Sequence, residues 1–462
     1  MHFTGIAGAG MSALAELLAR RGVTVQGTDA NASGAPDLVR LGIVVSPHDA
    51  ALVAGARALV YSSAIPATHP EMEEARRLGI PLVRRAEALA EAVSGGTLVG
   101  IAGTHGKTTT TVMTTEALAA AGRDPTGVAG GRVGIWGGNL RLGGTTYVVE
   151  ADEYDRSFLA LDPLVAVVLN VEADHLDIYR DLDDIMRAFE QFVSPARVVV
   201  RCADDAGAMA VRIASSHETI GYSATAPGVA SEPPSAAARL VARDLVLDGA
   251  GARFSVVFDG DAVGEITLAV PGVHNVRNAL AALGCGLALG CTVEDMASGL
   301  ARFPGVERRF QRLGEVAGIA IVDDYAHHPT EVRATIAAAR NAFPSRRLVV
   351  VFQPHLYSRT RDLQAEFADA LCGADAVFLC DIYGAREAPI PGVTSALIGQ
   401  QIADRVLRWT GARDAAAPAL VNALRAGDVV VTMGAGDVTR TGPELIAALQ
   451  RSTASSGVPA SR

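Results

Sequence analysis

The chain has 462 residues, 49% of them hydrophobic and 19% charged, with a formal net charge of -10. That length calls for two or three domains rather than one core, and the balance is that of a soluble globular protein. The acidic total argues against a general nucleic-acid binder while leaving room for a local cationic pocket. No apolar run reaches the length of a membrane helix and no leader-like segment opens the chain, so membrane partners are not expected and the cytoplasm is the expected compartment. Five cysteines without a Cys-x-x-Cys pair read as buried thiols of a reduced compartment.

Short runs of Val, Ile and Leu alternate with alanine-rich helical stretches, which predicts an α/β chain with largely parallel sheets. The first block, residues 1–93, opens with an apolar run. It is followed by Gly8-Ala9-Gly10-Met11-Ser12-Ala13, and Asp29 ends the next predicted strand. Glycines after a strand with an acid about 20 residues on form a dinucleotide-binding pattern. Backbone amides and a helix N-terminus would accept the diphosphate of a nucleotide sugar equally well.

The second block, 94–304, begins after Ser94-Gly95-Gly96. Its first apolar run, 97–102, leads into Gly103-Thr104-His105-Gly106-Lys107-Thr108-Thr109 and a predicted helix from about Thr108. Glycines turn N–H groups towards phosphates there, Lys107 reaches the β- and γ-phosphates, and Thr108 offers a hydroxyl to Mg²⁺. A strict phosphate-loop pattern would have glycine at 101, where this chain has Ile101. Lys107 is also the only lysine in the sequence. Every other basic side chain of this class is arginine, so a lysine retained here points to a place for a compact ammonium. Glu150 at the end of the run 146–149, and His175 after 164–170, are candidate metal-positioning groups. The stretch 224–238, rich in Ala, Pro and Ser, reads as an exposed loop. Segments 239–247, 252–258 and 263–270 read as an antiparallel insert on the sheet. The third block, 305–462, repeats strand and helix. Asp323-Asp324 follows 319–322, Gln353-Pro354-His355 follows 348–352, and the tail from Arg451 is expected to be disordered. Polar clusters that all follow strands can converge at the carboxyl edge of parallel sheets.

These motifs together resemble the Mur ligases of peptidoglycan synthesis. The resemblance rests on the loop from Gly103 to Thr110, Glu150-Ala151-Asp152-Glu153, Glu172-Ala173-Asp174-His175, His274-Asn275-Val276-Arg277-Asn278, Arg308-Arg309-Phe310, the segment Asp323–Glu331, and Phe352-Gln353-Pro354-His355. It implies three domains: N-terminal Rossmann-like, a central P-loop ATPase with a mainly parallel sheet, and C-terminal Rossmann-like. It also implies ATP with Mg²⁺, and amide-bond formation between L-alanine and the lactyl carboxylate of UDP-N-acetylmuramate through an acyl phosphate.

By the same resemblance, Gly8, Ala9, Gly10, Met11, Ser12, Asp29, Ser63 and Asn139 would bind the UDP-sugar. ATP would contact Gly103–Thr109, Asn275, Asn278, Arg309 and Asp324, while Thr108, Glu150 and His175 hold metal. Lys107, Glu150, His175, Arg309 and Asp324 form the catalytic set, with Tyr325, His327 and Arg359 around the amino acid. Because Lys107, Arg309 and Asp324 come from separate segments, the blocks are expected to close over the nucleotide.

Residue by residue, plainer readings stand beside these: Asn275 and Asn278 as helix caps, and His328 before Pro329 as a helix start. Leu356 stands where related ligases often carry arginine, and Tyr154 and Arg156 where small residues are common. Three alternatives share some of the features. They are a ligase that attaches a whole tripeptide, an NAD-dependent oxidoreductase built on Gly8–Ala13, and a non-catalytic nucleotide switch.

Overall fold

The computed structural model describes residues 1–455 except 177, 225–236, 250 and 386, with the side chains of 453–455 also left aside. The loop expected at 224–238 therefore lies almost wholly outside the described residues. Three sheets account for 21 strands. Two compact units carry them: Met1–Val246, Arg253–Ala269 and Val273–Val306 form one, and Leu247–Ala252, Val270–Gly272 and the chain from Glu307 on form the other.

The first sheet contains β1 (His2–Thr4), β2 (Gln26–Thr28), β3 (Val44–Ser46), β4 (Leu59–Tyr61) and β5 (Leu82–Arg84). Their order is β3-β2-β1-β4-β5 and every pairing is parallel. That order is the Rossmann one, with its switch point beside β1. A buried polar cluster ties these short strands together. Glu71 is fully buried and accepts from Thr4 Oγ1 at 2.6 Å, Thr28 Oγ1 at 2.7 and 2.8 Å, and the Asp49 amide at 3.1 Å. His2 Nε2 and His48 Nδ1 each lie 3.2 Å from its carboxylate. Burial alone would raise the carboxyl, but the hydrogen bonds from His2, Thr4 and Thr28 hold it down at about 2.

A depressed folded-state value means stability that is present above the ordinary carboxylate value and lost as pH falls towards the folded one. Glu71→Gln is expected to cost about 3 kcal/mol at neutral pH. Urea denaturation, followed by hydrogen exchange at β1 and β2, should show parent and variant converging between about pH 4.5 and 2. A difference that does not change with pH would show that the carboxylate charge is not what holds the strands.

The second sheet has ten strands: β6 (Thr97–Ala102), β7 (Thr126–Val133), β8 (Gly138–Arg141), β9 (Thr146–Glu150), β10 (Val165–Val168), β11 (Val198–Cys202), β12 (Glu218–Ser223), β13 (Ala238–Asp248), β14 (Gly251–Phe258) and β15 (Asp261–Leu268). Its order is β15-β14-β13-β12-β11-β10-β6-β9-β7-β8. β6 is central, buried except at Thr97, and paired in parallel with β10 and β9. The carboxyl ends of these three neighbours therefore open side by side.

The helix Lys107–Ala120 after β6 buries Thr108 to Thr115 without a break. Five β-branched residues lead that run, a poor helix former in isolation, so packing rather than propensity holds the helix. The three strands expected as an antiparallel insert on the sheet do extend it, and they join it through a parallel pairing of β13 with β12. β14 and β15 are joined by Asp259-Gly260, both at positive φ (52° and 94°), the two-residue turn of an antiparallel hairpin.

The third sheet runs β16-β17-β21-β18-β19-β20, from β16 (Gln311–Val316), β17 (Ile319–Asp324), β18 (Arg347–Phe352), β19 (Ala376–Cys380), β20 (Leu407–Gly411) and β21 (Asp428–Met433). Only the edge pair β16–β17 is antiparallel; the other four pairings are parallel. Alternate residues enter two separate cores. Ala320, Val322, Val350, Phe352 and Val431 face one, while Ile319, Ile321, Val349, Val351 and Val430 face the other. Burial on both faces is why these strands read as unbroken apolar runs. The last helix, Thr441–Ser455, continues through Arg451. The expectation of disorder from that residue is corrected there, because Leu445 and Leu449 anchor the helix in the core. All five cysteines are free and only Cys372 is exposed. Among the described residues no helix is long and apolar enough to cross a membrane.

Candidate active site

The loop between β6 and its helix is shaped by two glycines. Gly103 has φ 149°, and a Cβ there would meet Leu169 Cβ at 2.8 Å. Gly106 has φ 83°, and a Cβ there would meet Asn278 Oδ1 at the same distance. Neither position accepts another residue without displacing its neighbour. The loop is also pinned from β10: Thr104 N donates to Asn170 O at 3.1 Å and His105 N to Asn170 Oδ1 at 2.7 Å. In return, Glu172 N donates to Thr104 Oγ1 at 2.9 Å.

Lys107 Nζ donates to Gly103 O at 2.7 Å and to Glu153 at 2.7 and 2.9 Å. Burial would lower its pKa, but the charges of Glu153 and Asp152 drive it above the ordinary lysine value. Thr108 Oγ1 donates to Glu150 Oε1 at 3.1 Å. Glu150 Oε2 accepts from Gly130 N at 2.5 Å, an approach that a Cβ on Gly130 would block. Burial raises the Glu150 carboxyl against that amide and against Lys107. A hydroxyl beside a half-buried carboxylate is a hard-oxygen donor set of the kind Mg²⁺ takes. His175, at φ 54°, presents Nε2 3.6 Å from Glu153 Oε1 and 3.8 Å from Asp174 Oδ2. The structure thus brings Lys107, Thr108, Glu150 and His175 together.

It adds Glu153, to which the sequence reading gave no role. The one signal was its place in the acidic run Glu150–Glu153. Asn275 and Asn278 are buried inside the helix Val273–Ala288 rather than at its cap, and Asn278 Nδ2 donates to Asn275 Oδ1 at 3.4 Å. Thr109 is buried in its own helix.

In the first block Gly8 caps the helix Ala9–Arg20 and Gly10 lies in its first turn. Asp29 accepts from the amides of Ala7 and Asn31, both at 2.9 Å, so it organises the glycine loop directly. Met11 is 2% exposed and offers only its backbone, Ser12 Oγ donates to Ala9 O at 2.9 Å, and Ser63 is exposed in a turn. Asn139 Nδ2 reaches Ala9 O at 3.4 Å. A cavity of about 230 Å³ is lined by Ala7, Ala9, Ser12, Asn139 and the ion pair Arg132–Asp37; of the residues expected to bind the sugar it reaches Ala9, Ser12 and Asn139.

In the second unit Asp324 accepts from Phe310 N and Ala326 N, both at 2.7 Å. Burial pushes its carboxyl up to about 6, opposed by Arg309 and the two amides. Arg309 lies over the Tyr325 ring and 3.4 Å from Glu331 Oε1. His327 sits edge-on to Tyr325 and to His355, and Arg359 Nη1 is 3.4 Å from His355 Nδ1. Tyr325, His327 and Arg359 therefore form one cluster, with His355 as its link. Leu356 is buried at φ 70°, turning the chain into the helix Tyr357–Asp362. His328 caps the helix Pro329–Ala342, as its place before a proline suggested.

Three family models match the chain in order. They are the Mur ligase family, catalytic domain over residues 1–97, the Mur ligase middle domain over 101–286, and the Mur ligase, glutamate ligase domain over 308–436. The UDP-N-acetylmuramate–L-alanine ligase of Salinibacter ruber is 41% identical over 460 residues, spanning 97% of this chain and 95% of that protein. Its counterpart from Kineococcus radiotolerans is 47% identical over 458 residues, spanning 96% and 95%. The crystal structure of the UDP-N-acetylmuramate–alanine ligase from Thermotoga maritima superposes with a TM-score of 0.81 at 27% identity, over 98% of this chain and 99% of that one. A murein peptide ligase from Psychrobacter arcticus shares the fold, with a TM-score of 0.71 at 24% identity over 100% and 99%.

In chain order, a Rossmann-type sheet, a mainly parallel sheet carrying a phosphate loop and a second Rossmann-type sheet define the class: a three-domain nucleotide-dependent ligase. Within that class, the chain belongs to the Mur ligase family.

Proposed function

We propose that the chain joins L-alanine to the lactyl carboxylate of UDP-N-acetylmuramate at the expense of ATP. The observation that carries this reading is the loop Gly103–Thr108, with the only lysine of the sequence at its tip and Glu150 against Thr108. The choice of alanine is supported by relatives of that name at 41–47% identity over nearly the full length. Residues 1–93 would carry the UDP-sugar, 94–304 the nucleotide and 305–462 the amino acid. The enzyme would work in the cytoplasm.

The chemistry follows from the substrates. A carboxylate is a poor acyl donor, so a lactyl oxygen first attacks the γ-phosphorus and ADP departs, leaving an acyl phosphate. The alanine amino group then attacks the acyl carbon, loses a proton and expels inorganic phosphate. Lys107 would donate to the transferring phosphoryl oxygens, and the N–H groups of Gly103–Thr109 would receive the remaining phosphate charge. Thr108, Glu150 and His175 would hold Mg²⁺, which neutralises charge between the β- and γ-phosphates. Asn275 and Asn278 would lie near the adenine end, and Arg309 and Asp324 would contact ATP as members of the catalytic set. In the first block Gly8–Ser12 would receive the diphosphate, with Asp29, Ser63 and Asn139 beside the sugar. Tyr325, His327 and Arg359 would form the alanine pocket, where a guanidinium can take the amino-acid carboxylate through two hydrogen bonds.

Amide formation from UDP-N-acetylmuramate and ATP, compared across L-alanine, L-serine, glycine and an L-alanyl tripeptide, tests the reading. Product from the tripeptide alone would assign the chain to tripeptide attachment. Tight NADH binding without substrate-stimulated ATP hydrolysis would assign it to the oxidoreductases. Arg359 is 7% exposed, so its fork is fixed by packing. Arg359→Lys is expected to raise the KM for alanine about 30-fold while leaving that for ATP within about twofold, since an ammonium cannot reproduce the bidentate grip. Initial rates with alanine and ATP varied in turn would measure both.

A further inference from the structure

Glu153 meets two members of the proposed catalytic set at once. Its carboxylate accepts from Lys107 Nζ at 2.7 and 2.9 Å and lies 3.6 Å from His175 Nε2. It is 3% exposed, so this charge is aimed at the phosphate loop and not at solvent. The segment around it is built to keep it there. Tyr179 Oη donates to the Glu153 carbonyl at 2.6 Å. Arg156 lies over the Tyr179 ring at 4.7 Å and is held by Asp184 at 2.7 Å. Asp155 and Arg156 are consecutive non-glycine residues in the left-handed region, at φ 55° and 54°. A turn of that kind persists only where its surroundings over-determine it.

We propose that Glu153 is a positioning residue for phosphoryl transfer, holding the Lys107 ammonium and the His175 ring in their working places before nucleotide arrives. The inference rests on the functional reading above. Without Glu153, the acceptors in reach of Lys107 Nζ would be the carbonyl of Gly103 at 2.7 Å and that of Thr104 at 3.4 Å, both on the loop itself. The carboxylate fixes the cation from outside the loop sequence, through two further contacts at 2.7 and 2.9 Å. It has a cost that makes the role measurable: a negative charge beside the phosphates opposes nucleotide binding. A residue that only stabilised the loop would lose affinity and turnover together when changed. A charged positioning residue moves them in opposite directions.

Calorimetry with ADP in the absence of Mg²⁺, together with steady-state rates, is the test. Glu153→Gln is expected to bind Mg²⁺-free ADP about fivefold more tightly while kcat falls about 100-fold, as a repulsion and a preorganised contact are lost together. Glu153→Asp keeps the charge but retracts it, so its ADP affinity should stay within about twofold while kcat falls about 30-fold. Tyr179→Phe should shift kcat downwards by a smaller factor. Unchanged or weaker ADP binding by Glu153→Gln would overturn the proposal, as would an unchanged kcat. If Glu153→Gln does not fold, a Glu153→Asp kcat within twofold of the parent overturns it on its own. Failure of the parent to bind ADP or to form the amide would instead sink the functional reading beneath it.

Discussion

Replacing Lys107 with arginine is expected to lower kcat about 1,000-fold, although charge is conserved, because transition-state contacts to a transferring phosphoryl group depend on placement as much as on charge. The ammonium occupies a space bounded by the Gly103 carbonyl at 2.7 Å and the Glu153 carboxylate at 2.7 and 2.9 Å, with its side chain 13% exposed. Behind it, Gly103 already meets Leu169 closely enough to forbid a Cβ, so the loop has little freedom to retreat. A guanidinium is planar and wider, and it would pair with both oxygens of the Glu153 carboxylate, which takes its donors away from the phosphoryl oxygens. Burial of a misplaced cation would then add to the loss. Phosphate release and amide formation should fall together. Affinity for the UDP-sugar, measured by calorimetry, should stay within about twofold, since Lys107 bonds to Gly103, Thr104 and Glu153 and to none of the groups proposed to hold the sugar. Near-parental turnover would show that charge alone suffices at this position.

The phosphate loop was legible because its chemistry is local: glycines, one lysine and a hydroxyl lie within six residues after a buried strand. The parallel sheets were equally legible, since strands buried on both faces leave unbroken apolar runs such as 165–168 and 348–352. What the sequence concealed was set by contacts across distance. Glu153 joins the site through a turn at Asp155-Arg156 whose left-handed backbone no residue type announces. The spacing of Asp29 marked it as the acid of a dinucleotide-type loop, but did not show that its two oxygens also accept from the amides of Ala7 and Asn31. β13 to β15 read as an antiparallel insert on the sheet, but nothing in their alternation shows that β13 joins β12 in parallel. The helix through Arg451 was missed because a polar surface stretch hides the two leucines, Leu445 and Leu449, that bury its other face.

Glu150→Ala is expected to abolish all but about one part in 1,000 of turnover, and its cause can be separated from simple loss of structure. The carboxylate bridges two elements: Oε1 accepts from Thr108 Oγ1 on the loop helix, and Oε2 from Gly130 N on β7. Gly130 comes so close that a Cβ would sit 2.5 Å from Oε1, so the acid is fixed by a backbone that approaches it directly. Truncation leaves the Thr108 hydroxyl without its carboxylate neighbour, and removes the one anion placed to balance a cation between the phosphates. ADP binding without Mg²⁺ should survive or tighten, because a negative charge has gone. The additional affinity that Mg²⁺ confers on ADP should disappear. Calorimetric titrations of ADP with and without Mg²⁺ measure that difference directly. A Glu150→Ala protein that keeps the full Mg²⁺ increment would remove Glu150 from the metal-holding set and leave it as a strut between β7 and the loop.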